Sequence, residues 1–302
     1  MGDWQDWVGR SETREDVLTA GLVARHRATL NAPAGDAPLP GIHWCLCLPD
    51  APMDALGEDG HPRRVGLPTG KAEGPVDRPT EQAQDNRDKL GGFLPPIALP
   101  RRMWASSKVE FLAPIGVGAA VRRTSRILSI NEKSGSSGAL AFVDVEHASF
   151  VGGNIAVREV QTLVYRAANA AVPAFIAPRT GAADVAAREW DEHLVLTPDS
   201  AQLFRYSALT FNSHRIHYDL PYAREVEGYA GLVVHGPLTA SLLLQFATQR
   251  FGAIARLAFR GQSPAFCGEA LTLVARREGA SITLGALGPD GTVAVKAEAL
   301  LA

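Results

Sequence analysis

The chain has 302 residues, is 46% hydrophobic and 21% charged, and carries a formal net charge of −2. This is the make-up of a soluble globular protein with room for two ordinary domains or one large one. It offers no basic stripe for nucleic acid and no apolar run long enough to span a bilayer. The start MGDWQDWVGR is polar and acidic rather than signal-like, and it lacks the serine or threonine of a myristoylation signal at its sixth position. A cytoplasmic protein with neither a membrane nor a nucleic-acid partner is expected.

In chain order, Thr13 with Asp16 reads as a capping-box-like start of a helix from Arg14 to about Leu30, with Val17, Leu18, Leu22 and Ala28 roughly on one face. Cys45 and Cys47 fall in the apolar run IHWCLCL; on a strand they share a face and do not bridge easily, and Cys267 stands alone. Free thiols in a reducing compartment are expected. Prolines crowd the stretch from Pro33 to Pro100, and residues 51–100 read as a long coil, either a lid-like loop or an insertion with no role.

A weak internal repeat follows. Phe111, Pro114 and Gly118 in the first half correspond to Phe259, Pro264 and Gly268 in the second. Each block leads into alternating apolar residues and closes on a matching strand, NIAVREVQTLVYR or TVAVKAEALLA. Turns are supplied by NEKSGSSG, VGGN and GPDG. The chain therefore divides into a first half over residues 1–166, a join rich in alanine, proline and glycine over 167–196, and a second half over 197–302. In the second half, Thr197-Pro198-Asp199 starts a short helix reaching about Ser207. Gly236-Pro237 starts a longer one that ends near Gly252 and is apolar almost all round, so it should be buried. Long antiparallel strands around a buried helix make an α+β layout.

The richest segment is Phe204–Ser241, FRYSALTFNSHRIHYDLPYAREVEGYAGLVVHGPLTAS, which holds three of the eight histidines. Histidine is the side chain best suited to moving protons near neutral pH. A Gly-Pro junction opening a helix leaves backbone N–H groups that can hold a developing oxyanion. Together they point to proton transfer beside a carbonyl. His217 is the candidate base, against a satisfied structural histidine. Asn212 either caps a turn or holds a water. Arg215 either pairs with an anionic group of a substrate or braces the loop through backbone carbonyls. His214, Tyr218, Tyr229 and His235 are candidates for the pocket wall, although each can equally be packing. No metal is expected, since His214 and His217 lack a recognisable third ligand.

These residues resemble the MaoC-like hydratase and dehydratase family. Its motif runs aspartate, any residue, asparagine, proline, an aliphatic and histidine, with a later Val-His-Gly before the central helix. The matching stretches are Asn212-Ser213-His214-Arg215-Ile216-His217 and Val234-His235-Gly236. The wording FNSHRIHYD…EGYAGLVVHGPL resembles a two-hotdog subgroup that includes 3-methylfumaryl-CoA (mesaconyl-CoA) hydratase, itaconyl-CoA hydratase and hydroxyacyl-thioester dehydratase type 2. The resemblance implies a double hotdog, two curved antiparallel sheets each wrapping a central helix, with a degenerate first half and a catalytic second half.

It further implies hydration of a 2-enoyl-CoA to a 3-hydroxyacyl-CoA, with a short or branched dicarboxylic acyl group such as 3-methylfumaryl or itaconyl. His217 falls on the catalytic histidine and Gly236 on the glycine whose N–H binds the thioester oxygen. Arg101-Arg102 and Arg122-Arg123 are either contacts for CoA phosphates or solvated surface. No cofactor is implied beyond CoA as the substrate's handle, and pairing of chains into a homodimer is left open. Asn212 departs from the family's aspartate: an amide can orient a water but cannot take its proton. A non-catalytic acyl-thioester-binding subunit and a hotdog thioesterase stay as alternatives.

Overall fold

The computed structural model describes residues 4–63, 92–135, 138–167 and 187–302. Its first strand corrects the sequence expectation: Ser11–Val17 is extended (β1), not the start of a helix. SETRED has no apolar residue to form a helical stripe, and its exposure alternates with period two. β1 pairs antiparallel with a later strand and sets Glu15 opposite Arg122. The carboxylate of Asp16 accepts the backbone N–H groups of Val17 and Cys47 instead of capping a helix. The helix begins later, at Ala20–Thr29 (α1), where Thr19 Oγ1 accepts the Leu22 N–H at 3.1 Å.

Four long strands complete the first half: Arg101–Phe111 (β2), Ala120–Gly135 (β3), Gly138–Val151 (β4) and Asn154–Arg166 (β5). The second half opens with Glu192–Leu196 (β6), which pairs with a later strand, so its sheet begins inside the segment read as the join. Ser200–Leu209 (α2) and Gly236–Phe251 (α3) follow. Then come Ile254–Gly261 (β7), Leu271–Glu278 (β8), Ser281–Leu287 (β9) and Val293–Leu301 (β10). Pairing of β2 with β7 joins the halves into one antiparallel ten-stranded sheet, in the order β1-β3-β4-β5-β2-β7-β10-β9-β8-β6.

The internal repeat survives in detail. Gly118 and Gly268 both have φ of +83°, and each donates its N–H just ahead of a helix, to Leu18 O and Pro198 O. Leu112 and Ala113 both donate to Ala156 O, as Gln262 and Ser263 both do to Ala294 O. Duplication of one strand–helix–four-strand unit accounts for all of these contacts.

The halves differ at their centres. α3 is buried on nearly every face, with Leu238, Leu243 and Leu244 inaccessible, and it packs on β7 to β10. In the first half the apolar run around Cys45 is a 3-10 turn, Ile42–Cys45, rather than a strand. Trp44 from this turn donates Nε1–H to the buried Glu159 at 3.0 Å. All three cysteines are free thiols. The greater part of the proline-rich coil, 64–91, and most of the join, 168–186, lie outside the described residues. Among the described residues no helix is long and apolar enough to cross a membrane.

Candidate active site

The site is built on the loop between α2 and α3. Phe211 leaves α2 with φ of +47°, and Asn212 returns its N–H to Ser207 O. The Asn212 amide oxygen accepts the His214 N–H at 3.0 Å, so it closes a local turn and leaves its NH2 as the part able to hold a water. A 3-10 turn, Arg215–His217, follows. His217 Nδ1 lies 2.7 Å from Val233 O, and the Val233 N–H donates back to Ile216 O at 3.0 Å. Since a carbonyl only accepts, Nδ1 carries the hydrogen and Nε2 keeps its lone pair.

Two residues beyond Val233, His235 forms the N-cap of α3. Its ring lies on that of His217, with centroids 3.6 Å apart and planes 19° from parallel. Its Nε2 meets Ser207 Oγ at 2.9 Å, while its buried Nδ1 has no hydrogen-bond partner among the described residues. Gly236 and Pro237 open α3 with no side-chain cap, and among the described residues the space where a Gly236 Cβ would stand is empty to 4 Å. The positive end of a long buried helix is thus presented beside a fixed imidazole.

Burial dominates the electrostatics. It lowers the His217 imidazole to about 4, against an upward push from the Val233 carbonyl and with a further downward one from His61. It holds His214 and His235 below the ordinary imidazole range too, with neighbouring imidazoles adding to the effect. His217 therefore stands at neutral pH as an unprotonated base with its tautomer set.

The other residues singled out from sequence divide clearly. Arg215 is committed to bracing: it pairs with Asp219 at 2.7 Å, donates to Glu58 O at 3.0 Å and lies 4.1 Å over the Tyr222 ring. Tyr218 is about half exposed, with its hydroxyl donated to Ser213 O at 3.0 Å. Tyr229 packs with Ile216, Tyr222, Ala223, Val233 and Phe266, its hydroxyl 3.7 Å from Met103 Sδ. His214 meets the His217 ring edge-on, with centroids 5.5 Å apart.

Sequence reading missed a contribution from the first half. The stretch Glu58–His61 lies against the loop that carries His217, with the Arg215 N–H donating to Asp59 O at 2.9 Å and Ser213 Oγ to Gly60 O at 2.5 Å. His61 Nδ1 is 2.9 Å from Asp59 Oδ2, and the His61 ring lies 4.1 Å from that of His214. Asp59, His61 and His214 thus bring three ligand-type atoms within 4.8 Å of one another, a group that does not include His217 and that the His214–His217 spacing did not reveal. The hydrogen bond between Asp59 and His61 already occupies one such atom on each. The signal in sequence was the tripeptide Asp59-Gly60-His61, a turn former carrying an acid and an imidazole inside an otherwise featureless coil.

The chain is similar to known proteins along most of its length. The family model of hydroxyacyl-thioester dehydratase type 2 matches residues 41–267. The chain is 40% identical over 301 residues to mesaconyl-C(4)-CoA hydratase of Chloroflexus aurantiacus, covering 98% of this chain and 96% of the relative. It is 39% identical over 83 residues to the mitochondrial hydroxyacyl-thioester dehydratase type 2 of Schizosaccharomyces pombe, covering 26% of this chain and 28% of that one. Among solved structures, a MaoC-like dehydratase of Phytophthora capsici aligns with a TM-score of 0.66 at 14% identity over 97% and 96% of the two chains. HtdX of Mycobacterium tuberculosis aligns at 0.64 and 19% identity over 96% and 99%. A further Mycobacterium tuberculosis protein described as a double hotdog aligns at 0.53 and 14% identity over 97% and 96%. The fold is the double hotdog.

Proposed function

The chain belongs to the hydroxyacyl-thioester dehydratase type 2 family and is a hydro-lyase, and we propose that it reversibly hydrates a short, branched dicarboxylic 2-enoyl-CoA of the mesaconyl-C(4)-CoA type. The observation that carries this reading is the 2.7 Å bond from His217 Nδ1 to Val233 O, which leaves Nε2 as a base beside the start of α3.

In the hydration direction, a water held by the Asn212 NH2 gives a proton to His217 Nε2. Its oxygen adds to the β-carbon of the enoyl thioester, and the electron pair of the double bond moves toward the thioester carbonyl. The enolate oxygen that results is stabilised by the Gly236 N–H and the positive end of α3. The α-carbon then takes up the proton held by His217, directly or through water, and the base is restored. Atoms and charge balance with no redox cofactor or metal, and CoA serves as the substrate's handle. The first half supplies no second copy of the His217 motif, so one site per chain follows.

The test is ultraviolet absorbance of the conjugated thioester with mesaconyl-C(4)-CoA, itaconyl-CoA and crotonyl-CoA, alongside a thiol-release assay. Loss of absorbance without thiol release, abolished in His217→Ala, is the expected result. Thiol release makes the protein a thioesterase. CoA binding with no reaction makes it a binding subunit, with Asn212 as the mark of the lost acid.

A further inference from the structure

None of these hydration steps uses the stretch Glu58–His61, yet it is hydrogen-bonded to the loop that carries His217. Gly60 has φ of +83°, and a Cβ there would stand 1.9 Å from Ser213 O, so this packing admits only glycine. Three hydrogen bonds tie the two stretches together, from the Arg215 N–H to Asp59 O, from Ser213 Oγ to Gly60 O and from Arg215 Nη1 to Glu58 O. A contact this specific, between halves of one duplicated unit, needs a reason.

The reason lies at the position of Asn212. Within the second half this position carries an amide, which holds no charge and takes no proton. A carboxylate is nevertheless present nearby. Asp59 Oδ2 lies 2.9 Å from His61 Nδ1, and Asp59 Oδ1 accepts the His61 backbone N–H at 3.0 Å. The carboxylate therefore holds His61 at two points, its ring Nδ1 and its backbone N–H. That ring lies 4.1 Å from the ring of His214, which in turn meets His217 edge-on at 5.5 Å. Four imidazoles, His61, His214, His217 and His235, follow one another in contact, with Asp59 at one end.

We propose that Asp59 and His61 are positioning residues of the hydratase centre, contributed by the first half in place of a carboxylate at the position of Asn212. This rests on the hydratase reading above. A carboxylate bonded to imidazole N–H fixes the ring's tautomer and plane. Here it fixes His61, which supports His214, and His214 supports the base two turns of contact away. When His217 takes the water's proton it becomes a buried cation between the rings of His214 and His235, and a buried charge with no counter-charge is costly. Asp59 is the carboxylate at the end of the imidazole row. The pair exchanges no proton with substrate.

The test uses the full chain with Asp59→Asn, His61→Ala and His61→Asn beside wild type and His217→Ala. Hydration of mesaconyl-C(4)-CoA gives kcat and KM, and ¹⁵N-histidine NMR gives the exchange lifetime of the His217 Nδ1–H. Asp59→Asn and His61→Ala are expected to lower kcat about 10- to 100-fold, less than the loss of a direct acid–base group. KM should stay within about threefold, and the Nδ1–H lifetime should shorten about tenfold. His61→Asn, whose amide N–H can still reach Asp59, should recover part of the rate. Wild-type inactivity on every enoyl thioester overturns the hydratase reading, and the Nδ1–H lifetimes then decide the positioning role by themselves. Variants with kcat within about twofold of wild type and unchanged lifetimes overturn the proposal. So does activity that is lost to a chelator and restored by Zn²⁺, which makes Asp59, His61 and His214 metal ligands instead.

Discussion

The imidazole of His235 lies nearly flat on that of His217, with ring centroids 3.6 Å apart. Both rings are buried, and both are held below the ordinary imidazole range, burial being the main cause. Two uncharged rings can stack in this way, whereas a resident charge on either would repel a charge on the other. The stack fixes the plane of His217, and the Val233 carbonyl fixes its rotation within that plane.

Replacing His235 separates shape from polarity. His235→Phe keeps an aromatic face against His217 and loses only the bond to Ser207 Oγ, so kcat should stay within about tenfold of wild type. His235→Ala opens a void beside His217 and should cost about 3 kcal/mol in stability along with a larger fall in kcat. Urea midpoints and steady-state rates check both. A His235→Ala enzyme with wild-type kcat removes the stack from any positioning role.

Acid should act on the fold and on the rate through the same rings. His26, fully buried, and His217 are each lowered to about 4, chiefly by burial, while the unfolded chain takes up these protons near pH 6.5. Between about 6.5 and 4 the unfolded state therefore holds more protons. Stability is fully present above that window and falls as pH falls through it, by up to about 1.4 kcal/mol per pH unit for each ring. The kcat/KM profile should stay flat through neutrality and show its acid limb near pH 4, where His217 is protonated. Denaturant melts at a series of pH values, with His26→Gln as a comparison, measure the first effect. An acid limb near 6.5 would assign the base to a more exposed group.

At Gly60 the prediction is steric. Gly60→Ala would place a methyl 1.9 Å from the Ser213 carbonyl, and neither backbone can yield without breaking the bonds from Arg215 and Ser213. Thermal midpoint and activity should fall together, and kcat by at least about tenfold. Gly118→Ala also sits at positive φ, but in open space and away from the loop, so it should lower stability while leaving kcat near wild type. Equal activity loss in the two variants would trace the effect to folding rather than to the contact.

The second half was readable because its signals are local. Asp199 before Ser200–Leu209 and the Gly236-Pro237 pair mark helix starts in the residues themselves. The paired corners at Gly118 and Gly268 were legible because each needs a left-handed residue at a fixed offset from a proline. The first thirty residues misled for the opposite reason. Thr13 and Asp16 have the spacing of a helix cap, yet β1 forms because β3, more than a hundred residues later, offers it an edge. The Asp59–His61 pair escaped likewise. Its meaning depends on Ser213 and His214, about 150 positions away, and no spacing rule connects them. For Arg215 the sequence left both a ligand-binding fork and a brace open, because it cannot show that Asp219 and Glu58 O accept from its donors.

Gly236 allows the oxyanion role to be separated from folding. Its φ is not in the left-handed region, and nothing lies within 4 Å of the place a Cβ would occupy. Alanine is a better helix former than glycine, so Gly236→Ala should leave stability unchanged or raise it by about 0.5 kcal/mol. The methyl group, however, enters the space in front of the first N–H groups of α3, where the thioester oxygen must sit to be stabilised. Loss of one oxyanion donor typically costs about 10²- to 10³-fold in kcat, and a displaced substrate should approach that figure. Rates on an enoyl-CoA together with a thermal melt decide the matter. A fall in kcat at unchanged or raised Tm assigns the start of α3 to the transition state. Unchanged kcat moves the oxyanion site away from Gly236 and leaves the glycine as a helix start alone.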